Sequence, residues 1–352
     1  MKVLVTGGAG FIGSHIVDEL VERGDQVRVL DNLHPMAHAA RPDYLNPDAE
    51  YLIDDLRDRQ AAAAAVRGVD AVCHQAGVVG LGVDFGDVTD YVDTNDTGSA
   101  VLLRELFERS FAGPLVLAGS MVVYGEGRYR CVYHGVVSPP PRTEHDLATG
   151  RFDPACPSCG LALNNEAVPE NAPPKPRSIY AATKLHQEHL FECYARETDA
   201  RYVGLRYHNV YGSRMPFNTP YAGVASIFRS CLERGEPPQV FEDGKQIRDF
   251  VHVSDVARAN VLALTDGTAK GPFNVASGDP RPLLDMAETL CSAFGDGSTA
   301  PEITGRYRAY DIRHVFADPE RAREELGFQA RMSFEEGMKR FIHDPIRASL
   351  LG

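Results

Sequence analysis

Tyr180 and Lys184 stand four residues apart in the run Tyr180-Ala181-Ala182-Thr183-Lys184, so on a helix a phenol and an ammonium share one face. A free phenol, with a pKa of about 10, is a poor base at neutral pH. A nearby positive charge favours the phenolate and lowers that value, so Tyr180 would take a proton from a hydroxyl while hydride leaves the same carbon. The same spacing also suits two surface neighbours on a helix, so other residues must decide.

A second group can hold the hydride carrier. Thr6-Gly7-Gly8-Ala9-Gly10-Phe11-Ile12-Gly13 lies between a strand-like run, Lys2–Thr6, and a helical pattern, Ile12–Arg23. Glycines at 7, 10 and 13 permit a tight turn, close approach of backbone to a pyrophosphate, and helix–sheet packing. The helix start supplies N–H groups and partial positive charge for the phosphates. Asp31, followed by Asn32, ends the second strand-like run, where a carboxylate accepts both ribose hydroxyls and repels a 2′-phosphate. NAD is therefore expected rather than NADP. Asp55 and Leu56 suit the adenine edge, and Ala76 and Gly77 let backbone pass close to the cofactor; a loop acid and a packing glycine fit those positions equally well.

A third group has metal-ligand spacing. Cys131-Val132-Tyr133-His134 and Cys156-Pro157-Ser158-Cys159 make a CxxH…CxxC arrangement of one imidazole and three thiols, a closed tetrahedral zinc set. With no position left for water, such a zinc would be structural. His145 is a spare ligand, and plain surface thiols are the alternative.

These groups need elements to position them. Strand-like runs at Val3–Thr6, Val27–Leu30, Ala71–Cys73, Pro114–Ala118 and Arg201–Tyr207 alternate with helical patterns such as Val101–Phe107 and Tyr180–Tyr194. That alternation predicts an α/β fold, a doubly wound parallel sheet of Rossmann type over 1–210, with a smaller C-terminal α/β substrate-binding lobe over 211–352 from which some segments return to the sheet. Residues 127–169, rich in Pro, Gly and Cys, show no sustained period and read as an insert held by something other than a hydrophobic core. With 352 residues, 43% of them apolar, the chain is well able to bury a core.

Lys plus Arg is 36 against 49 for Asp plus Glu, a formal charge of −13, which argues against nucleic-acid or anionic-membrane partners. Within the insert, Arg128, Arg130, Arg142 and Arg151 balance Glu144, Asp146, Asp153 and Glu166, so it is no phosphate-binding module either. No signal peptide and no membrane-spanning run is visible, and seven cysteines make an odd number for a disulfide framework. The cytoplasm is the expected compartment.

The chain resembles the extended short-chain dehydrogenase/reductase family, in its nucleotide-sugar epimerase and dehydratase branch. The resemblance runs through TGGAGFIG at 6–13, Asp31-Asn32, Asn95 in YVDTNDTG, Gly119-Ser120-Met121-Val122-Val123-Tyr124-Gly125, Tyr180/Lys184, LRYHNVYG at 205–212, RDFVHVSD at 248–255 and NVASG at 274–278. It implies that Ser120 hydrogen-bonds the sugar O4 and relays its proton to Tyr180, and that Lys184 also holds the nicotinamide ribose. It places Asn95 at the cofactor, and Asn209, Arg248 and Arg308 at the substrate diphosphate. A guanidinium suits that task because it binds two phosphate oxygens at once. It also implies a homodimer joined by a four-helix bundle, formed by about Thr97–Arg109 and Ala181–Glu197 of each subunit.

Dehydratases of this branch carry an Asp-Glu pair just after the catalytic hydroxyl, and its decarboxylases keep a Glu in that region. Here Met121 and Val122 stand there, and neither can exchange a proton. What remains is oxidation and re-reduction at C4: NAD-dependent 4-epimerisation of a UDP- or dTDP-hexose through a 4-keto sugar. Val315 matches the residue closing the sugar pocket in many UDP-galactose 4-epimerases, and a small apolar residue there suits a 6-deoxyhexose. The cysteine insert resembles those of bacterial dTDP-L-rhamnose 4-epimerases. His208, where Phe is common, reads as a core position. The alternatives are a dehydratase or decarboxylase of the same branch and a non-catalytic NAD-binding regulator, although the latter is expected to lack Ser, Tyr or Lys.

Overall fold

The computed structural model describes all residues except 36, 81–84, 218–222, 296–298, 310 and 348–352. Tyr310 of the RYRAYD run and the last residues of the 211–352 lobe lie outside the described residues. Seven strands form one sheet: β1 (Lys2–Thr6), β2 (Gln26–Asp31), β3 (Glu50–Ile53), β4 (Ala71–His74), β5 (Pro114–Ser120), β6 (Arg201–Tyr207) and β7 (Gly271–Val275). Their order is β7-β6-β5-β4-β1-β2-β3, and every neighbouring pair is parallel. The chain reverses its direction of travel between β1 and β4, which opens a crevice beyond their C-terminal ends.

The strands are apolar on both sides because helices cover both. Val3, Val5, Val29, Val116 and Leu205 face the helices Phe11–Glu22 and Val253–Thr265. Leu4, Leu30, Val72, Leu115 and Leu117 face Arg59–Ala65, Gly98–Phe107 and Ile179–Thr198. The helix Val253–Thr265 and strand β7 are thus segments that come back to the sheet after the chain has left it at Tyr207.

The smaller lobe gathers strands Asn209–Tyr211, Ile247–His252, Pro280–Pro282 and His314–Val315 with helices Val224–Glu233, Leu283–Phe294 and Phe334–Phe341. Phe228, Phe250, Leu290 and Phe341 form its core. The insert is ordered: Gly135–Val137, Arg128–Cys131 and Asn164–Glu166 make a three-stranded antiparallel sheet, with a short helix at Glu144–Ala148. Strands of three and four residues are too short to show a period in sequence, which is why the stretch reads as irregular.

Candidate active site

At the crevice the chain turns through Gly7, whose φ of 68° is left-handed. A Cβ on Gly7 would lie 2.6 Å from the Ala76 nitrogen, and one on Gly13 would lie 2.2 Å from the Gly7 carbonyl oxygen, so both positions exclude side chains. Gly10 caps the helix Phe11–Glu22 with no side-chain hydrogen bond, which leaves first-turn N–H groups for a ligand. Asp31 accepts from the backbone N–H of Ala9 at 3.0 Å and of Leu33 at 2.9 Å, and burial raises its pKa against those two bonds. Asp55 is held by Arg57 at 2.9 and 2.7 Å and by Asn32 at 3.1 Å.

One cleft of about 460 Å³ runs from this end to the end of β5, with Gly7, Asp31, Ala76, Gly77, Ser120 and Tyr180 on its walls. Phe11, Ile12, Asn32, Asp55, Leu56 and Lys184 line it too. Asn95 does not. Fully buried, it binds the backbone N–H of Val78 at 2.8 Å, the carbonyl of Val78 and the Thr183 hydroxyl. It fixes the wall that Gly77 and Val78 form instead of presenting its side chain to the cleft.

Ser178 caps the helix Ile179–Thr198, accepting from the N–H of Ala181 at 3.1 Å, and so sets Tyr180 in its first turn. Ser120 ends β5, and its hydroxyl faces the Tyr180 phenol. Lys184 is buried, one turn on, and donates to the carbonyl of Ala118 at 3.0 Å. The lowering expected for Tyr180 is not the larger effect within the protein. Burial pushes the phenol up to about 12, with the Ser120 hydroxyl acting against it, and burial brings Lys184 down to about 8. A phenol this desolvated needs a positive charge beside it before it can act as a base.

Arg248 is enclosed, and its guanidinium donates to the carbonyls of Ile247, Arg313 and Ile312 at 2.8, 3.0 and 2.5 Å. Arg308 is exposed over the ring of Phe241, 5.4 Å from its centre. Neither arginine lines the cleft that holds Ser120 and Tyr180, whereas Asn209 does. Val315 is buried and lies opposite Arg248 in the strand register. His208 is also buried, and its pKa is pushed down to about 3 by burial, so it is neutral.

Cys131, His134, Cys156 and Cys159 come together, their ligand atoms all within 4.8 Å of one another. The thiol of Cys131 lies 3.4 Å from His134 Nδ1 and 3.7 Å from the Cys159 sulfur, and Cys156 lies 3.5 Å from His134 Nδ1. His145 is not in this group. The cluster does not line the cleft.

Three features escape a reading of the sequence. The segment Val92–Thr97 is a π-helical turn, and the displaced Asn95 carbonyl accepts from Gln187 at 3.1 Å and from Ser99 at 2.6 Å. Arg206 and Glu188 form a buried two-pronged ion pair at 3.0 and 2.7 Å, tying the Tyr180 helix to β6. The C-terminal segment pairs with 214–217 through the Pro216–Arg347 bridge and brings Arg347 to the cleft, where its Nε and Nη1 find no hydrogen-bond partner among the described residues. Nothing in the local sequence marks Arg347, because its place depends on a chain crossing.

Comparison with known proteins bears on this geometry. The NAD dependent epimerase/dehydratase family model matches residues 3–276. A dTDP-L-rhamnose 4-epimerase of Burkholderia thailandensis is 32% identical over 343 residues, covering 96% of this chain and 93% of that protein. Among solved structures, the UDP-glucose 4-epimerase of Thermotoga maritima with UDP-glucose superposes with a TM-score of 0.80 at 30% identity, covering 97% of this chain and 98% of the other. The Thermus thermophilus UDP-glucose 4-epimerase in complex with NAD gives 0.77 at 29% identity, with 97% and 98% covered.

Proposed function

The chain belongs to the NAD dependent epimerase/dehydratase family, and on that premise we propose that it inverts C4 of a nucleotide-activated hexose through a 4-keto sugar. One observation carries this reading. Ser120, Tyr180 and Lys184 meet in the cleft, while among its described lining residues the only acids are Asp31, at the end of β2, and Asp54 and Asp55, just after β3. Met121 and Val122 follow Ser120 in a 3₁₀ turn, so no carboxylate there can move a C5 proton or expel a C6 hydroxyl.

The cofactor this reading requires fits the residues present. The Gly7–Gly13 turn and the uncapped helix start would take the pyrophosphate, and Asp31 the adenosine ribose. When bound, NAD supplies an oxidised nicotinamide ring for the C4 hydride and a positive charge near Tyr180. Ser120 orients the O4 hydroxyl and passes its proton to Tyr180. Tyr180 holds that proton while the sugar is a ketone, then returns it to O4 once the other face has been reduced. Lys184 holds the nicotinamide ribose and favours the phenolate. Asn209, Arg248 and Arg308 hold the diphosphate.

Among substrates we place dTDP-L-rhamnose first, supported by the Burkholderia relative. Incubating the protein with UDP- and dTDP-hexoses, 6-deoxyhexoses included, and following the sugar by proton NMR tests the reading. Interconversion of C4 epimers is expected; a 4-keto-6-deoxy or decarboxylated product would overturn it.

The reading extends to assembly and place. The helices Gly98–Phe107 and Ile179–Thr198 lie side by side, with Phe107 exposed, and two such pairs would make the four-helix bundle of a homodimer. Light scattering should give twice the chain mass. A cytoplasmic setting is supported by seven free cysteines, and no helix among the described residues is long and apolar enough to cross a membrane. The Cys131, His134, Cys156 and Cys159 cluster holds a structural zinc ion in this reading.

A further inference from the structure

Three of the cluster's ligand-to-ligand distances match the edges of a zinc tetrahedron. Zinc–sulfur bonds of about 2.3 Å and zinc–nitrogen bonds of about 2.0–2.1 Å give edges of roughly 3.8 Å between sulfurs and roughly 3.5 Å from sulfur to nitrogen. The sulfur–sulfur distance of 3.7 Å and the sulfur–nitrogen distances of 3.4 and 3.5 Å match those edges. Three thiolates and an imidazole select zinc over magnesium or calcium. Four protein ligands leave no place for substrate.

What such a site holds can be followed residue by residue. Tyr129 stands two positions before Cys131 and Asp153 three before Cys156, so joining the two ligand turns also joins these side chains. Both meet His314. The buried Tyr129 ring lies 6.2 Å from the imidazole, and the Asp153 carboxylate lies 3.1 Å from His314 Nε2 and 2.8 Å from Arg313 Nε. Arg142, also in the insert, pairs with Glu242 at 2.7 Å with both side chains nearly fully buried, and donates to the carbonyl of Asp311 at 2.6 Å. Arg313, fully buried, binds Glu242 and Asp243 as well. The insert therefore grips the segment 311–314 from several sides, and that segment's Ile312 and Arg313 carbonyls are the ones that orient Arg248.

We propose that the zinc-held insert is a clasp that fixes the segment 311–315 and the aim of Arg248, so that zinc, given the diphosphate role proposed above for Arg248, sets the affinity for the nucleotide sugar's diphosphate while leaving NAD binding and the C4 chemistry alone. This rests on zinc occupying the cluster. In it Arg142 and Asp153 are positioning residues, acting through Asp311, Arg313 and His314.

The test uses the full chain with NAD bound. Elemental analysis should find about one zinc per chain, and a value near zero would end the zinc reading itself. Asp153→Asn keeps all four ligands and alters a largely exposed side chain, so the fold should survive. It should keep its zinc and its NAD, raise KM for the nucleotide sugar and weaken binding of free UDP or dTDP by about tenfold, and leave kcat within twofold. Unchanged KM and unchanged UDP and dTDP affinity in zinc-loaded Asp153→Asn would overturn the clasp while sparing the zinc. Stripping the wild-type protein with a chelator should produce the same rise in KM, reversed by added zinc. A loss of kcat at constant KM would instead mean that the metal serves the chemistry and would overturn the proposal.

Discussion

The ammonium of Lys184 donates to the Ala118 carbonyl at 3.0 Å and lies 6.0 Å from the centre of the Tyr180 ring. It therefore acts on the phenol through space rather than through a contact, and its position is fixed by the end of β5. Burial, against the Ser120 hydroxyl, holds Tyr180 at about 12, so the charge of the nicotinamide ring and that of Lys184 must together bring it into use.

Tyr180→Phe keeps the ring and its packing but removes the proposed base. Turnover should fall below detection while NAD stays bound, read by cofactor release on denaturation. Ser120→Ala should slow epimerisation by about 10²-fold, the scale of a lost proton relay. Near wild-type turnover in Tyr180→Phe would remove this residue from the mechanism.

Reaction in deuterated water distinguishes the chemistries. With Met121 and Val122 beside Ser120, the C3 and C5 hydrogens should stay unexchanged in the product. Deuterium at C5, seen by mass spectrometry or NMR, would point to dehydratase-like or 3,5-epimerase proton transfer.

Arg347 reaches the cleft with two guanidinium nitrogens that have no partner among the described residues; burial raises the pKa of Asp31 and lowers that of His38, and the charge of Arg347 opposes the first shift and adds to the second. Guanidinium nitrogens of this kind, on a half-buried residue, gain from an anionic ligand. Arg347→Met should weaken NAD retention by about tenfold, measured by fluorescence or equilibrium dialysis, with little change in KM for the sugar. Equal retention in the variant would assign Arg347 to packing alone.

Acid should destabilise the fold through buried imidazoles. Burial holds His74 and His208 near 3, against about 6.5 when unfolded. Between these values the unfolded chain binds protons that the native chain refuses, so stability is complete above pH 6.5 and falls as pH falls, by roughly 1.4 kcal/mol per unit for each group. Asp249, raised by burial, acts in the opposite sense, but only as the carboxylates titrate. The melting temperature should drop between pH 7 and pH 5, and more gently in His74→Gln. A flat profile would show that these rings are not the titrating groups.

The sequence by itself determined the groups whose chemistry depends on near neighbours. Tyr180 and Lys184 need only a helix, the glycines at 7, 10 and 13 only a strand–turn–helix, and CxxH and CxxC only two tight turns, so local spacing is enough to expose them. The parallel sheet was legible for the same reason, since alternating strand and helix patterns are local. Tertiary structure alone decided what depends on distant chain meeting. Asn95 turned out to brace the cleft wall because the π turn at Val92–Thr97 directs it inward. The insert's grip on 311–314, the pair of Arg206 with Glu188 and the approach of Arg347 to the cleft each join residues 18 or more positions apart. Whether burial or a neighbouring charge governs the Tyr180 phenol was also a tertiary question, because desolvation depends on everything packed around the ring, and no spacing along the chain records it.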